Sequence, residues 1–369
     1  MRSARGARWV IALTGVVALI AATAVGVSAH GTRPAGAQAK PITIGFVYDS
    51  PHNDGGWSQG HDQARATMEK ALKGQVKTIW VESVPYGKQM ADVWNQMVAK
   101  KVAAIVDTSA AGQPFVNFCK AHPTLVCATT YPALGPEPKN VSNFYVSHWL
   151  GSYLAGVAAG LLSKKGVVGY VAPFKVPTVN ASINSFALGC QSVHKGCTVK
   201  TVLTSSWYDP PKETEAAQTL VNGGVDIMYG LTDDPAYGTV AAKNNMWTIG
   251  SYQYANVAAG KWYVTGVLWD WTKIYTDFAR GVLAGTWKSG TVVTGLGVGS
   301  GLAAWGSNVP ANVKSAVAKV RAQLQKGKNP FTGPLYDNSG KLRLKAGQTL
   351  SPAILLNGWT WLVKGISSS

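Results

Sequence analysis

Short, nearly unbroken runs of β-branched and aromatic residues alternate with helix-period segments along this chain, and the alternation starts twice. The first run is Ile42-Thr43-Ile44-Gly45-Phe46-Val47-Tyr48. Its continuous apolar character is that of a parallel strand buried on both faces. A turn-rich loop over 49–57 leads into a predicted helix over 58–73, stopped near Gly74. Strands are predicted at 77–81, 102–106, 124–129 and 143–146, with helices at 87–100 and 114–121 between them. A second series then begins. A helix at 151–162 is rich in Ala and Gly, which permits close packing on a sheet. Strands at 167–171, 198–203, 225–229 and 247–249 are interleaved with helices at 178–190, 212–222 and 236–243. Strand–helix alternation of this kind specifies an α/β fold with doubly wound parallel sheets. Two such series imply two lobes with a cleft between them. A helix at 271–283, a glycine-rich stretch, a charged helix at 311–326 and a short β-rich tail complete the chain.

Composition narrows the classes. Hydrophobic residues make up 46% and charged residues 14%, a balance that builds a packed core rather than a disordered chain. The formal charge is +17. The basic residues are nevertheless scattered singly or in pairs such as Lys100-Lys101 and Lys164-Lys165. We read them as a solvated surface, not as the clustered stripe of a nucleic-acid binder. At the N-terminus, Arg2, Arg5 and Arg8 precede an apolar stretch over 9–27, and a small-residue segment ends in Ala37-Gln38-Ala39. This is the three-part pattern of a secretory signal over residues 1–39. Retention as a membrane anchor is the competing reading. No cysteine lies there to accept a lipid, so the expectation is an exported protein that is not a lipoprotein. Export permits disulfides. Cys119, Cys127, Cys190 and Cys197 allow three pairings, of which the local pairs are the simplest; buried free thiols are the alternative.

Chemistry-bearing residues gather where predicted strands end, the usual ligand face of such sheets. Asn53-Asp54-Gly55-Gly56-Trp57 follows the first strand. There Asp54 can accept N–H groups and Trp57 offers a flat face for stacking, or else Asp54 caps a helix and Trp57 packs in the core. Tyr131, Phe174, Trp207, Asp233, Tyr252 and Trp269 follow other strands, and Asn184 lies on the helix predicted at 178–190. Aromatic platforms with a few acidic partners suit a flat, hydrogen-bonding heterocycle, and sugars also stack on aromatics. No G-x-S-x-G, H-E-x-x-H or P-loop is present, so neither an enzyme nor a metal or other cofactor is expected. The run Gly295-Leu296-Gly297-Val298-Gly299 lacks the spacing of a dinucleotide loop and reads as a connector.

The opening GFVYDSPHNDGGWSQGHDQAR resembles the signature of BMP-type (basic membrane protein) solute-binding proteins of ABC importers. Tyr153-Leu154-Ala155-Gly156, Ser206-Trp207-Tyr208-Asp209-Pro210, Asp233-Asp234-Pro235-Ala236 and Pro330-Phe331-Thr332-Gly333-Pro334 fit the same family, in order along nearly the whole exported chain. The resemblance implies a type I periplasmic-binding fold, in which two Rossmann-like lobes are joined by a three-crossing hinge. The first lobe would take 41–146 plus 264–290, and the second 147–263 plus 291–369. The crossings would fall near Val146, Tyr263 and Gly290. The resemblance also implies a purine base or nucleoside stacked on Trp57, with Phe174 or Trp207 opposite and Asp54 and Asp233 accepting its N–H groups. The expected partners are that ligand and an ABC permease, for a monomer without nucleic acid. Ser251-Tyr252-Gln253-Tyr254 stands where nucleoside-binding relatives carry aspartate-containing residues, which favours a bare base over ribose recognition. A binding protein or receptor for a sugar or another small metabolite is the alternative.

Overall fold

The computed structural model describes residues 40–109, 111–130, 138–252 and 258–369. The expected signal segment therefore lies outside the described residues. In chain order the strands are β1 (Ile42–Val47), β2 (Val76–Val81), β3 (Ala104–Asp107), β4 (Val126–Thr129), β5 (Val141–Val146), β6 (Val167–Ala172), β7 (Thr198–Leu203), β8 (Ile227–Gly230), β9 (Trp247–Ser251), β10 (Tyr263–Trp269), β11 (Gly290–Thr294), β12 (Ser300–Leu302), β13 (Leu335–Tyr336), β14 (Leu342–Leu344) and β15 (Ile366–Ser368). They form a six-stranded sheet in the order β11-β5-β4-β3-β1-β2 and a seven-stranded sheet in the order β12-β10-β9-β8-β6-β7-β15. The first is wholly parallel. In the second only β12 runs antiparallel, to β10. Residues of β3 and β5 are buried throughout, including the polar Asp107, Ser142 and Asn143, as expected of strands covered on both faces.

Three passages join the lobes, and two of them differ from expectation. The first leaves β5 at Val146. β10 pairs with β9 and β12, so it belongs to the second sheet, and the chain crosses back only after Trp269, not near Tyr263. β11 pairs with β5 and closes the edge of the first sheet, so the third passage follows Thr294, not Gly290. Both strands are apolar enough for either sheet; pairing alone assigns them. The glycine-rich run 295–299 is this third passage. The passages are tied together: Ser147 N donates to Thr294 O at 2.8 Å, and Asp270 N to Gly299 O at 2.7 Å.

The helices α1 (Trp57–Ala71), α2 (Lys88–Ala99), α3 (Gln113–Ala121), α4 (Trp149–Leu162), α5 (Pro177–Val193), α6 (Pro210–Asn222) and α7 (Ala236–Lys243) fall close to their predicted places. The small residues of α4 serve mainly a helix–helix contact. A Cβ on Gly156 would lie 2.0 Å from Phe186 O, and one on Gly189 would lie 2.0 Å from Tyr153 O. α4 and α5 thus meet backbone to backbone, closer than any side chain would allow. Both local disulfides are formed, Cys119–Cys127 and Cys190–Cys197, with Cα–Cα separations of 6.3 and 6.0 Å, inside the usual span for a bridge. Each ties the end of a helix to a strand entering its sheet.

Candidate functional site

The loop after β1 turns directly into α1, and Asp54 organises that turn. Its carboxylate accepts N–H bonds from Gly56 (2.8 Å), Ser58 (3.0 Å) and Gln59 (3.0 Å). These are amides that the first turn of a helix leaves unpaired. Asp54 is therefore a helix cap and does not line the cleft, which corrects its expected role as a ligand acceptor. Asp233, from the loop after β8 in the second lobe, reaches the same helix end. Its Oδ1 accepts from Trp57 N at 3.0 Å. This approach depends on Gly56, where a Cβ would stand 2.4 Å from the Asp233 Cα. Burial, and for Asp233 the charge of Asp54 beside it, holds both carboxyls above the ordinary carboxylate range. Tyr252, at the end of β9, is a second clasp on α1. Its ring lies against Gly60, and its backbone holds a left-handed φ of 56°, a conformation that for a bulky side chain persists only when its surroundings enforce it.

Between these contacts lies a cavity of about 330 Å³ at the carboxyl ends of both sheets, within the range of small-molecule sites. Of the residues expected at the site, Trp57, Phe174, Trp207, Asp233, Tyr252 and Trp269 line it. Trp57 Nε1 donates to Thr108 O at 2.7 Å, which fixes the plane of its ring. Trp269 meets Trp57 edge-on at 5.5 Å and stacks on His148 at 4.0 Å. Phe174 and Trp207 meet edge to face at 5.6 Å. Asn184 is elsewhere. It is buried on α5, its amide donating to Trp361 O at 2.8 Å and accepting from Val363 N at 2.8 Å. It holds the C-terminal tail, a role that residue type alone could not reveal. Tyr131 lies outside the described residues.

The sequence reading missed Asp49, Thr108, Ser109, Thr130, Tyr145 and His148, which also line the cavity. Asp49 lies two residues past β1, and Thr108 and Thr130 directly follow β3 and β4, so the strand-end rule could have found them. His148 sits on the first passage between lobes, where no periodicity points. Burial holds its pKa down at about 3, so the ring is neutral, and Nε2–H donates to Thr178 O at 3.2 Å. The hydroxyl protons on the first lobe are committed inward. Thr108 donates to Val47 O, Thr130 to Thr108 O and Ser109 to the Asp107 carboxylate. What these groups offer a ligand is acceptor lone pairs. Asp49 and Asp233 are acidic, and the described lining holds no lysine or arginine. A flat solute with N–H donors is matched by such walls; an anion meets no counter-charge among the described lining residues.

The sequence pattern of the PnrA-like ABC transporter substrate-binding proteins, the Bmp family, matches residues 42–339. This chain belongs to that family. It is 35% identical over 356 residues to a purine-binding protein of Brucella abortus (strain 2308), an alignment covering 95% of this chain and 98% of that one. It is 31% identical over 291 residues to a Haloferax volcanii protein provisionally named as an ABC transporter glucose-binding protein, covering 78% and 73%. A solved solute-binding protein of an ABC transporter system from Conexibacter woesei has the same fold, with a TM-score of 0.64 at 21% identity over 78% of this chain and 97% of that one. As a Bmp-family protein, the chain binds a small solute outside the cytoplasm and works with a membrane permease. No helix among the described residues is long and apolar enough to cross a membrane.

Proposed function

We propose that this Bmp-family protein captures an amino-substituted purine base in the interlobe cavity and presents the closed complex to its permease. The observation that carries the reading is the pairing of aromatic walls with an acceptor-rich edge that holds no lysine or arginine among the described residues. A purine ring stacks between Trp57 and the second-lobe aromatics, each such contact being worth roughly 1 kcal/mol beyond area burial. Its N–H groups meet Asp49, Asp233 and the threonine oxygens. The same acidic edge disfavours nucleotides and amino acids, whose phosphate or carboxylate would enter without a counter-charge. The Brucella relative named for purine binding supports the class. In this reading residues 1–39 are the export signal and the protein acts as a monomer.

Closure is favoured by contacts that the open state cannot make. α1 supplies them: the second lobe docks on its N-terminus through Asp233 and Tyr252. Titration calorimetry and thermal-shift assays of residues 40–369 against purine bases, nucleosides and sugars test the proposal. Adenine or guanine at 100-fold its Kd should raise stability by about 2.7 kcal/mol. Trp57→Ala should weaken that binding by about 30- to 100-fold, the cost of removing a central aromatic anchor. A response to glucose with silence from every purine would overturn the ligand class and leave the sugar reading.

A further inference from the structure

The family match ends at residue 339, yet the chain continues as a strap across the second lobe. One face of α5 holds it by its backbone. Asn180 Nδ2 donates to Trp359 O at 3.0 Å, Asn184 clasps Trp361 O and Val363 N, and Gln191 Nε2 donates to Lys364 O at 2.8 Å. Spaced by four and seven residues, these amides form a stripe along the helix. Trp359 is fully buried against Phe331, and β15 then joins the second sheet beside β7. Upstream of these anchors lies the helix Pro352–Asn357, packed on α5, whose last two residues, Leu356 and Asn357, line the ligand cavity.

We propose that this strap is the specificity wall of the cavity. Leu356 and Asn357 contact the solute, and Asn184 is the positioning residue that sets where that wall stands. The inference rests on the purine reading above. It explains why a buried Asn on α5, with no access to the ligand, has both sides of its amide engaged by the tail. A wall carried by a separate segment can change the size and polarity of the site without altering the strands that build the rest of it.

Adenine and adenosine affinities of the full exported chain, residues 40–369, provide the test. Leu356→Ala and Asn357→Ala should each weaken adenine by about 5- to 10-fold, as expected for losing one apolar or one polar contact. They should also shift the adenine-to-adenosine affinity ratio by about 3-fold or more, and Asn357→Ala, at an exposed position, should do so with little change in Tm. Asn184→Ala should shift the same ratio, and Asn184→Gln should restore part of it. A purely structural role for Asn184 would lower Tm and leave the ratio alone. Trp57→Ala is the control, weakening both ligands together. Wild-type binding of adenine with unchanged ratios in all three alanine variants overturns the strap proposal alone. Wild-type silence toward both ligands overturns the purine reading, and the strap proposal with it.

Discussion

The two lobes present opposite surfaces to the cavity they share. The first contributes the ends of parallel strands: Asp49 after β1, Thr108 and Ser109 after β3, and Thr130 after β4. Its large side chains there are Trp57 and Tyr145. The second contributes Phe174, Trp207, Leu231, Trp269 and the strap residue Leu356. The first lobe is mainly a polar edge and the second mainly an apolar wall, interrupted by Asp233, Ser251 and Asn357, although both are built from the same strand–helix units. The difference teaches how such a cleft divides recognition. On the proposed reading, the polar edge selects hydrogen-bonding pattern and the apolar wall supplies most of the burial once the lobes meet.

The sharpest way to break that division is to keep the lobes apart. Gly56→Ala places a methyl against the Asp233 backbone, and overpacking of a few kcal/mol there should lower ligand affinity by about 10- to 100-fold. Small-angle scattering should then show no ligand-induced compaction. Normal affinity in this variant would mean that docking of Asp233 on α1 is not part of the bound state. The next effect compares the walls directly. Phe174→Ala should weaken binding by about 10-fold. Thr130→Val, which removes one acceptor, should weaken it by about 3- to 5-fold. Calorimetry that ranks them the other way would reverse the assignment of edge and wall.

The smallest effect concerns buried carboxyls beneath each half of the site. In the first lobe, Asp107 holds Trp94 Nε1 and Ser109 N and is pushed up by burial to about 6. In the second, Glu213 accepts from Thr232 Oγ1 at 2.7 Å and is pushed up by burial to about 8. With fewer strong donors, Glu213 is the more perturbed. Between the ordinary glutamate range and about pH 8 the folded protein holds a proton on Glu213 that the unfolded chain has lost. Stability therefore falls as pH rises through that window and levels off above it. Glu213→Gln should remove this slope. It should raise Tm by about 3–6 °C at pH 8.5 and change it least once the pH lies below the ordinary glutamate range, where wild-type Glu213 is protonated in both states. An unaltered pH profile would show that Glu213 is ionised in the folded protein.

Most of the architecture was legible in the sequence, because a strand buried on both faces must be continuously apolar and a helix must repeat near 3.6 residues. The strands over 42–48 and 167–171 and the helices over 58–73 and 311–326 stand within a residue or two of their expected ends. The aromatic half of the candidate site was legible for a related reason: Trp57, Phe174 and Trp207 follow strands and Trp269 ends one, and local order places strand ends on the face where such sheets take ligands. The passages between lobes were not. β10 and β11 carry no mark of the sheet they join, since pairing is a contact between residues far apart in the chain. Nor were the fates of Asp54 and Asn184, two polar residues that resemble ligand contacts by type. Whether a carboxylate caps a helix or faces a cavity, and whether an amide holds a solute or a tail, depends on which groups the tertiary structure brings within about 3 Å. Local sequence determines which segments become strands and helices and which face carries the aromatics. Only the folded chain decides which polar atoms remain for a ligand once the backbone has taken its share.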